Sequence, residues 1–259
     1  MSVLSDAEVE QFVEAGYIAV RSAFPVRVAT ECRELAERQL GIDPTAPGTW
    51  TRPVVRGLVE GQPLRDAANS PRLLASVREL LDPDVWLPRP NLGNLVVRFP
   101  SATDPGDAGW HIDSSFQPEG EPRWFVNYRS KARGLLLLCL LSDVGGDDAP
   151  SRLLPGSHLA MSKLLRPAGE RGLPGAYEGQ RSEIPLPDTD GQVVHATGEA
   201  GDAFVCHPFL VHAASWPHRG TAPRFVAQPP IALLDSLRLE GDPRQLSPVA
   251  RAVRHGLDR

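Results

Sequence analysis

The sequence predicts an α+β fold, with helices gathered near the start and a β-sandwich or barrel after them. Two observations carry this reading. The first third has helix-type periodicity with start and stop signals, whereas beyond Pro90 short strand-like runs follow one another, punctuated by Gly, Pro and Asp. Helices first and strands later point away from alternating βαβ units.

The elements follow in order. Ser5 and Glu8 form a capping-box pattern that opens a short helix with Val9, Phe12 and Val13 on one face, and Gly16 stops it. Residues 17–23 alternate as a strand does. A second helix starts near Pro25 and runs to Leu40 before Gly41. Residues 43–61 are rich in Pro, Gly and Thr and read as loop. Ser70-Pro71 opens another helix that ends near Leu81. Strands are expected at 94–99, 109–115, 134–141, 152–154, 192–196, 203–206, 209–213 and 224–232. Residues 167–190 are polar and Gly/Pro-rich, which marks a long surface insertion of the kind that covers active sites. The 259 residues read as one domain: a mainly helical support over 1–90, a strand-rich core over 91–235 and a C-terminal tail over 236–259.

Composition removes several function classes. Hydrophobic residues make up 41% and charged residues 23%, which excludes wholesale disorder. A net charge of −5 disfavours a nucleic-acid binder. Cys32, Cys139 and Cys206 are far apart and odd in number, so they suit neither a zinc site nor a disulfide framework and read as small apolar fillers. The start of the chain lacks the basic and apolar stretches of a signal peptide, and the longest apolar run, 135–141, is too short to span a bilayer. A cytoplasmic location without membrane attachment is the default expectation.

The chemistry centres on Trp110-His111-Ile112-Asp113. Residues two apart on a strand share a face, so His111 and Asp113 aim at one point. His212, on a later apolar strand, supplies a third ligand. Two imidazoles and one carboxylate leave positions open on an octahedral metal, the arrangement of non-haem Fe(II) oxygenases rather than of closed structural zinc sites. The open positions suit 2-oxoglutarate, whose far carboxylate needs a fixed cation. Arginine's planar fork meets that need. Arg224, at the start of the strand after His212, is the candidate, with Arg219 in the intervening turn as its competitor.

Together these pieces resemble the phytanoyl-CoA dioxygenase family of Fe(II)/2-oxoglutarate oxygenases. The opening Phe12 to Ile18 with Gly16-Tyr17, the His111-Ile112-Asp113 motif, the turn Pro155-Gly156-Ser157-His158, and His212 with Arg224 match its motifs in order. Two positions depart from the pattern. Ile112 stands where many members have Gln, and Ala214 where many have Ser.

The resemblance implies a double-stranded β-helix (jelly-roll, cupin-like) core with the N-terminal helices packed on one sheet. It implies iron(II) on His111, Asp113 and His212, and O2 and 2-oxoglutarate as co-substrates. Arg224 would anchor 2-oxoglutarate, with Arg98 also in reach and Ser215 replacing the missing Ser. Because Asp113 is retained, the implied reaction is hydroxylation rather than halogenation. Succinate and CO2 would be co-products, and a small molecule, such as one of secondary metabolism, the substrate. Desaturation, cyclisation or epimerisation with the same cofactors is the alternative within catalysis. A non-catalytic cupin-like metal-binding module is the alternative outside it. Phe116, Trp124 and Arg129, from a segment mixing aromatics with arginines, are the candidate substrate contacts.

Overall fold

The computed structural model describes residues 2–176, 178 and 180–259. Helix α1 (Asp6–Ala15) begins at the expected capping box: Ser5 Oγ accepts from the Glu8 N–H at 3.3 Å and the Glu8 carboxylate accepts from the Ser5 N–H at 2.8 Å. It ends at Gly16, whose φ of 83° is the left-handed conformation that stops helices. Strand β1 (Tyr17–Val20), helix α2 (Val26–Leu40), strand β2 (Val54–Leu58) and helices α3 (Gln62–Ala68) and α4 (Pro71–Leu80) complete the first third. Strands β3 (Trp86–Leu87), β4 (Asn94–Arg98), β5 (Phe125–Val126), β6 (Leu135–Leu140) and β7 (Arg152–Leu153) follow. After helix α5 (Ser157–Leu165) come β8 (Leu173–Pro174), β9 (Val194–His195), β10 (Ala203–Cys206), β11 (His212–Ala213), β12 (Arg224–Ala227) and β13 (Pro230–Leu233). Helix α6 (Pro248–Asp258) closes the chain.

The architecture is mixed helix and antiparallel sheet. The large sheet runs β1-β10-β6-β12-β4-β2, with β13 joined to β6 and β3 joined to β13. A small sheet runs β11-β7-β9. Strand β6 is central and buried along its whole length. Its side chains divide with the strand's period of two. Leu135, Leu137 and Cys139 join a core made with α2, α4 and α6, whereas Leu136, Leu138 and Leu140 join Leu153, Ala196 and Phe204 on the other face. Cover on both faces is why 135–141 reads as one apolar run. The helices thus back one face of the large sheet and the small sheet faces the other. All three cysteines are buried and free, and burial, the main cause, pushes the Cys32 thiol up to about 12.

Several expectations are corrected. The stretch 43–61 is not all loop: β2 lies in it and pairs with β4. Residues 109–115 make only one isolated bridge, and 209–213 contributes only His212–Ala213. The expected strand 224–232 is two strands, broken at Gln228-Pro229, since proline offers no ladder N–H. The segment 236–259, expected as a tail, ends in α6, with Val249, Ala250 and Val253 fully buried. The stretch 167–190 is stitched to the segment after His111-Ile112-Asp113: β8 pairs with β5, and Arg123 Nη2 donates to the carbonyls of Gly175 (2.7 Å) and Arg181 (3.0 Å). No helix among the described residues is long and apolar enough to cross a membrane.

Candidate active site

His212 opens β11, where it pairs with Leu153 of β7. His111 lies on an extended segment that adds a single antiparallel bridge to it. The backbone N–H of each donates to the carbonyl of the other at 3.0 Å. Residues directly opposed in this way present their side chains on one face, and the two imidazole centres lie 4.4 Å apart. Asp113, two residues on, shares that face. His111 Nε2 and Asp113 Oδ1 are 4.0 Å apart, and one donor atom from each of the three side chains lies within 4.8 Å of the others. Among the described residues no other three such side chains come so close.

The donor chemistry suits a divalent metal. The Nδ1–H of His111 donates to the Gly109 carbonyl, and that of His212 to the Leu210 carbonyl, each at 2.9 Å. Both Nε2 atoms are therefore lone-pair donors, as in metal sites whose outer contacts fix the tautomer. Burial holds the His212 imidazole below its ordinary value, with Asp113 opposing, so it is neutral near pH 7. Burial pushes the Asp113 carboxyl up, but the Arg133 guanidinium first, and then the two imidazoles whenever they are protonated, outweigh it and hold the group below its usual value. A metal requires neutral imidazole and ionised carboxylate ligands, and the His212 and Asp113 shifts both run that way.

Arg133 is the residue that sequence reasoning missed. Its Nη1 donates to Asp113 Oδ2 at 2.5 Å and its Nη2 to the Ser114 carbonyl at 3.0 Å, which leaves Asp113 Oδ1 turned toward the imidazoles. The turn that delivers it is unusual. Ser130 (φ 49°) and Ala132 (φ 66°) are both left-handed without being glycine, and Ser130 Oγ donates to the Arg133 carbonyl at 2.7 Å.

A chamber of about 280 Å³ opens on the three side chains, and Arg224 lies on its wall. Arg224 is 2% exposed. Its Nη1 donates to the Ala149 carbonyl, and its buried Nε has no partner. Burial, then the like charge of Arg98, pulls its proton affinity down to about 9. Arg98 stands directly opposite on β4 and also lines the chamber. It already has a carboxylate partner: its Nη2 meets both oxygens of Asp107 at 2.6 and 2.7 Å, Arg56 reaches the same carboxylate at 2.6 Å, and only its buried Nε is without a partner. Arg219 and Ser215 do not line the chamber, and the Ser215 hydroxyl donates to the Pro150 carbonyl at 2.6 Å. Phe116 and Trp124 line an adjoining cleft. Arg129 is not with them: it pairs with Glu240 at 2.7 Å and lines a separate cavity.

Comparison with known proteins bears on the family and the fold. Residues 12–226 match the family model described as Phytanoyl-CoA dioxygenase (PhyH). No curated protein sequence matches the chain significantly. Among solved structures, HygX from Streptomyces hygroscopicus, with nickel, 2-oxoglutarate and hygromycin B bound, is similar with a TM-score of 0.57 at 18% identity, over 91% of this chain and 90% of that one. The epimerase SnoN in complex with Fe3+, alpha ketoglutarate and nogalamycin RO gives 0.55 at 17% identity, over 88% and 82%. GlcNAc Inducible Gene 2 of Candida albicans gives 0.63 at 18% identity, covering 90% of this chain but only 64% of that one. These likenesses show a shared fold. The family match spans most of the sequence, and on that ground the chain belongs to the phytanoyl-CoA dioxygenase family, as a non-haem iron oxygenase that uses 2-oxoglutarate.

Proposed function

We propose that this enzyme hydroxylates an unactivated carbon of a small molecule of secondary metabolism, with iron(II) held by His111, Asp113 and His212 and 2-oxoglutarate anchored by Arg224. One observation carries the reading. Three donor atoms within 4.8 Å of one another share a chamber with a buried guanidinium whose Nε has no partner. When bound, iron(II) supplies O2 activation coupled to decarboxylation of 2-oxoglutarate to succinate and CO2.

The chain's own residues do the positioning. The Gly109 and Leu210 carbonyls orient the imidazoles, and Arg133 orients the carboxylate. Arg224 offers a planar fork to the far carboxylate of 2-oxoglutarate. Arg98, engaged by Asp107, has only a supporting part in this reading. The large and small sheets, joined by the core around Leu138 and Phe204, are read as the two walls of a double-stranded β-helix.

The test is Asp113→Ala. Succinate formation from 2-oxoglutarate should fall to the level of a no-enzyme control, with manganese(II) affinity by calorimetry falling in parallel. Wild-type succinate formation by the variant would refute the assignment. Product mass then distinguishes hydroxylation, which adds one oxygen, from desaturation or cyclisation, which removes two hydrogens, and from epimerisation, which changes neither.

A further inference from the structure

Next to the chamber lies a wider cleft of about 670 Å³. Arg133 and Pro230 line both spaces, so the two lie side by side. Strand β13 is the floor of the cleft. Burial alternates along it, which sends Ile231 and Leu233 into the core and turns Pro230 and Ala232 outward. Phe116 and Trp124 are also on its walls. Trp124 is 53% exposed, an indole left in water beside a chamber that holds reactive chemistry. A small, flat floor with aromatic walls suits a planar ring system, and the volume suits a drug-sized ligand.

Charge narrows the choice. Among the described residues no carboxylate lines the cleft, whereas Arg133 does, and the Lys131 ammonium lies 5.2 Å from the centre of the Phe116 ring. The chamber has the same bias. Arg56, Arg98, Arg133 and Arg224 face only Asp107 and Asp113 there. An iron(II) ion with doubly ionised 2-oxoglutarate is neutral together, so the positive excess persists in the loaded enzyme. Such a field attracts anions and repels polycations.

We propose that this cleft is the substrate site and that the substrate is a flat, ring-bearing acid, carrying a carboxylate, phenolate or enolate, rather than a polycationic sugar. The assignment rests on the oxygenase reading above, because only that reading makes the adjoining chamber the reaction centre.

The test uses the full chain loaded anaerobically with manganese(II) and 2-oxoglutarate. Calorimetry of that loading is read first, and its failure would overturn the oxygenase reading itself. The fluorescent fused-ring acid anilinonaphthalene sulfonate is then titrated in. Trp124→Ala, at an exposed position where the fold does not depend on the side chain, should weaken its binding about fivefold. Ala232→Trp, which fills the cleft from its floor, should weaken it about tenfold. Phenylnaphthylamine, the same rings without the sulfonate, should bind about threefold more weakly than the acid. Kanamycin, a polycationic sugar, should not displace the probe. Normal loading with probe binding indifferent to both substitutions overturns the cleft assignment alone. Equal binding of the two probes, or displacement by kanamycin, overturns the assignment of an acidic substrate.

Discussion

Arg224→Met should stabilise the protein while crippling co-substrate binding. Arg224 is among the largest fully buried side chains, with one carbonyl acceptor, Ala149, and an unpartnered Nε. A base that holds its proton less tightly in the folded than in the unfolded chain costs stability at every pH below its folded value, here about 9. At about 1.4 kcal/mol per pH unit, the fall from an ordinary guanidinium caps that cost at roughly 5 kcal/mol. Methionine keeps the apolar stem, while the Ala149 carbonyl loses its donor at about 1–3 kcal/mol. The net expectation is a gain of about 1–3 kcal/mol, in line with other replacements of buried charge by apolar groups. For 2-oxoglutarate the sign reverses. Loss of a buried charge pair costs about 2–4 kcal/mol, a rise in Kd of roughly 30- to 1,000-fold. Urea denaturation near neutral pH measures the first effect, and anaerobic calorimetry of 2-oxoglutarate on the manganese(II) protein the second. A variant that unfolds at lower urea yet binds 2-oxoglutarate as tightly as wild type would show that Arg224 is a structural anchor for the Ala149 carbonyl, and the reasoning would fail.

Two further predictions concern the scaffold. His158 is fully buried, its Nε2–H donates to the Val13 carbonyl at 3.0 Å, and burial pulls its imidazole down from 6.5 to about 4. The unfolded chain takes up a proton that the native chain refuses, so stability should fall as pH drops from 6.5 toward 4, by up to about 1.4 kcal/mol per pH unit. His207, beside it and also held low by burial, steepens the loss. Denaturation midpoints that stay flat over that range would contradict this. Gly256, in α6, meets α5 so closely that a Cβ there would lie 2.4 Å from the Leu159 carbonyl oxygen. Gly256→Ala should therefore destabilise by about 1–3 kcal/mol, despite alanine's better helix propensity. A raised urea midpoint would show that the α5–α6 contact yields more readily than its spacing implies.

What was legible in the sequence depended on the range of the interaction that decides it. Helices α1, α2 and α4 were readable because their starts and stops are local: Ser5 with Glu8, Gly16, Gly41, and Ser70-Pro71. Ser247-Pro248 carries the same start signal for α6, and Val249, Ala250, Ala252 and Val253 make a clear buried face, so that helix was legible as well although it was expected as a tail. His111 and Asp113 were correctly placed on one face although their segment is not a regular strand, because an extended backbone keeps the period of two with a single bridge. Arg133 was not legible. Its approach to Asp113 depends on left-handed backbone at Ser130 and Ala132, where no glycine marks the turn. Arg56 and Asp107 were hidden for another reason: the β2–β4 pairing that brings Arg56 to Asp107 runs through a stretch whose Pro, Gly and Thr content reads as loop.

The opposition of Arg98 and Arg224 across β4 and β12 is an arrangement that a fold shaped for stability alone would avoid, since like charges directly opposite on paired strands repel. Asp107 bonds only one of the two, although its charge favours both. Its carboxylate bonds Arg98 Nη2 and Arg56 together, the Arg98 Nε staying unpartnered, and leaves Arg224 with a single backbone carbonyl. Arg224, the chamber arginine whose only bonded partner is a neutral carbonyl, thereby carries the largest unmet demand for negative charge, in a space shared with the candidate metal cluster. An anion on Arg224 would partner its Nε, offset its burial and screen it from Arg98 in one step, so part of the binding free energy is already stored in the unliganded fold. That is why the tail of 2-oxoglutarate is assigned to Arg224 and not to Arg98, and why the same substitution is expected to move stability and affinity in opposite directions.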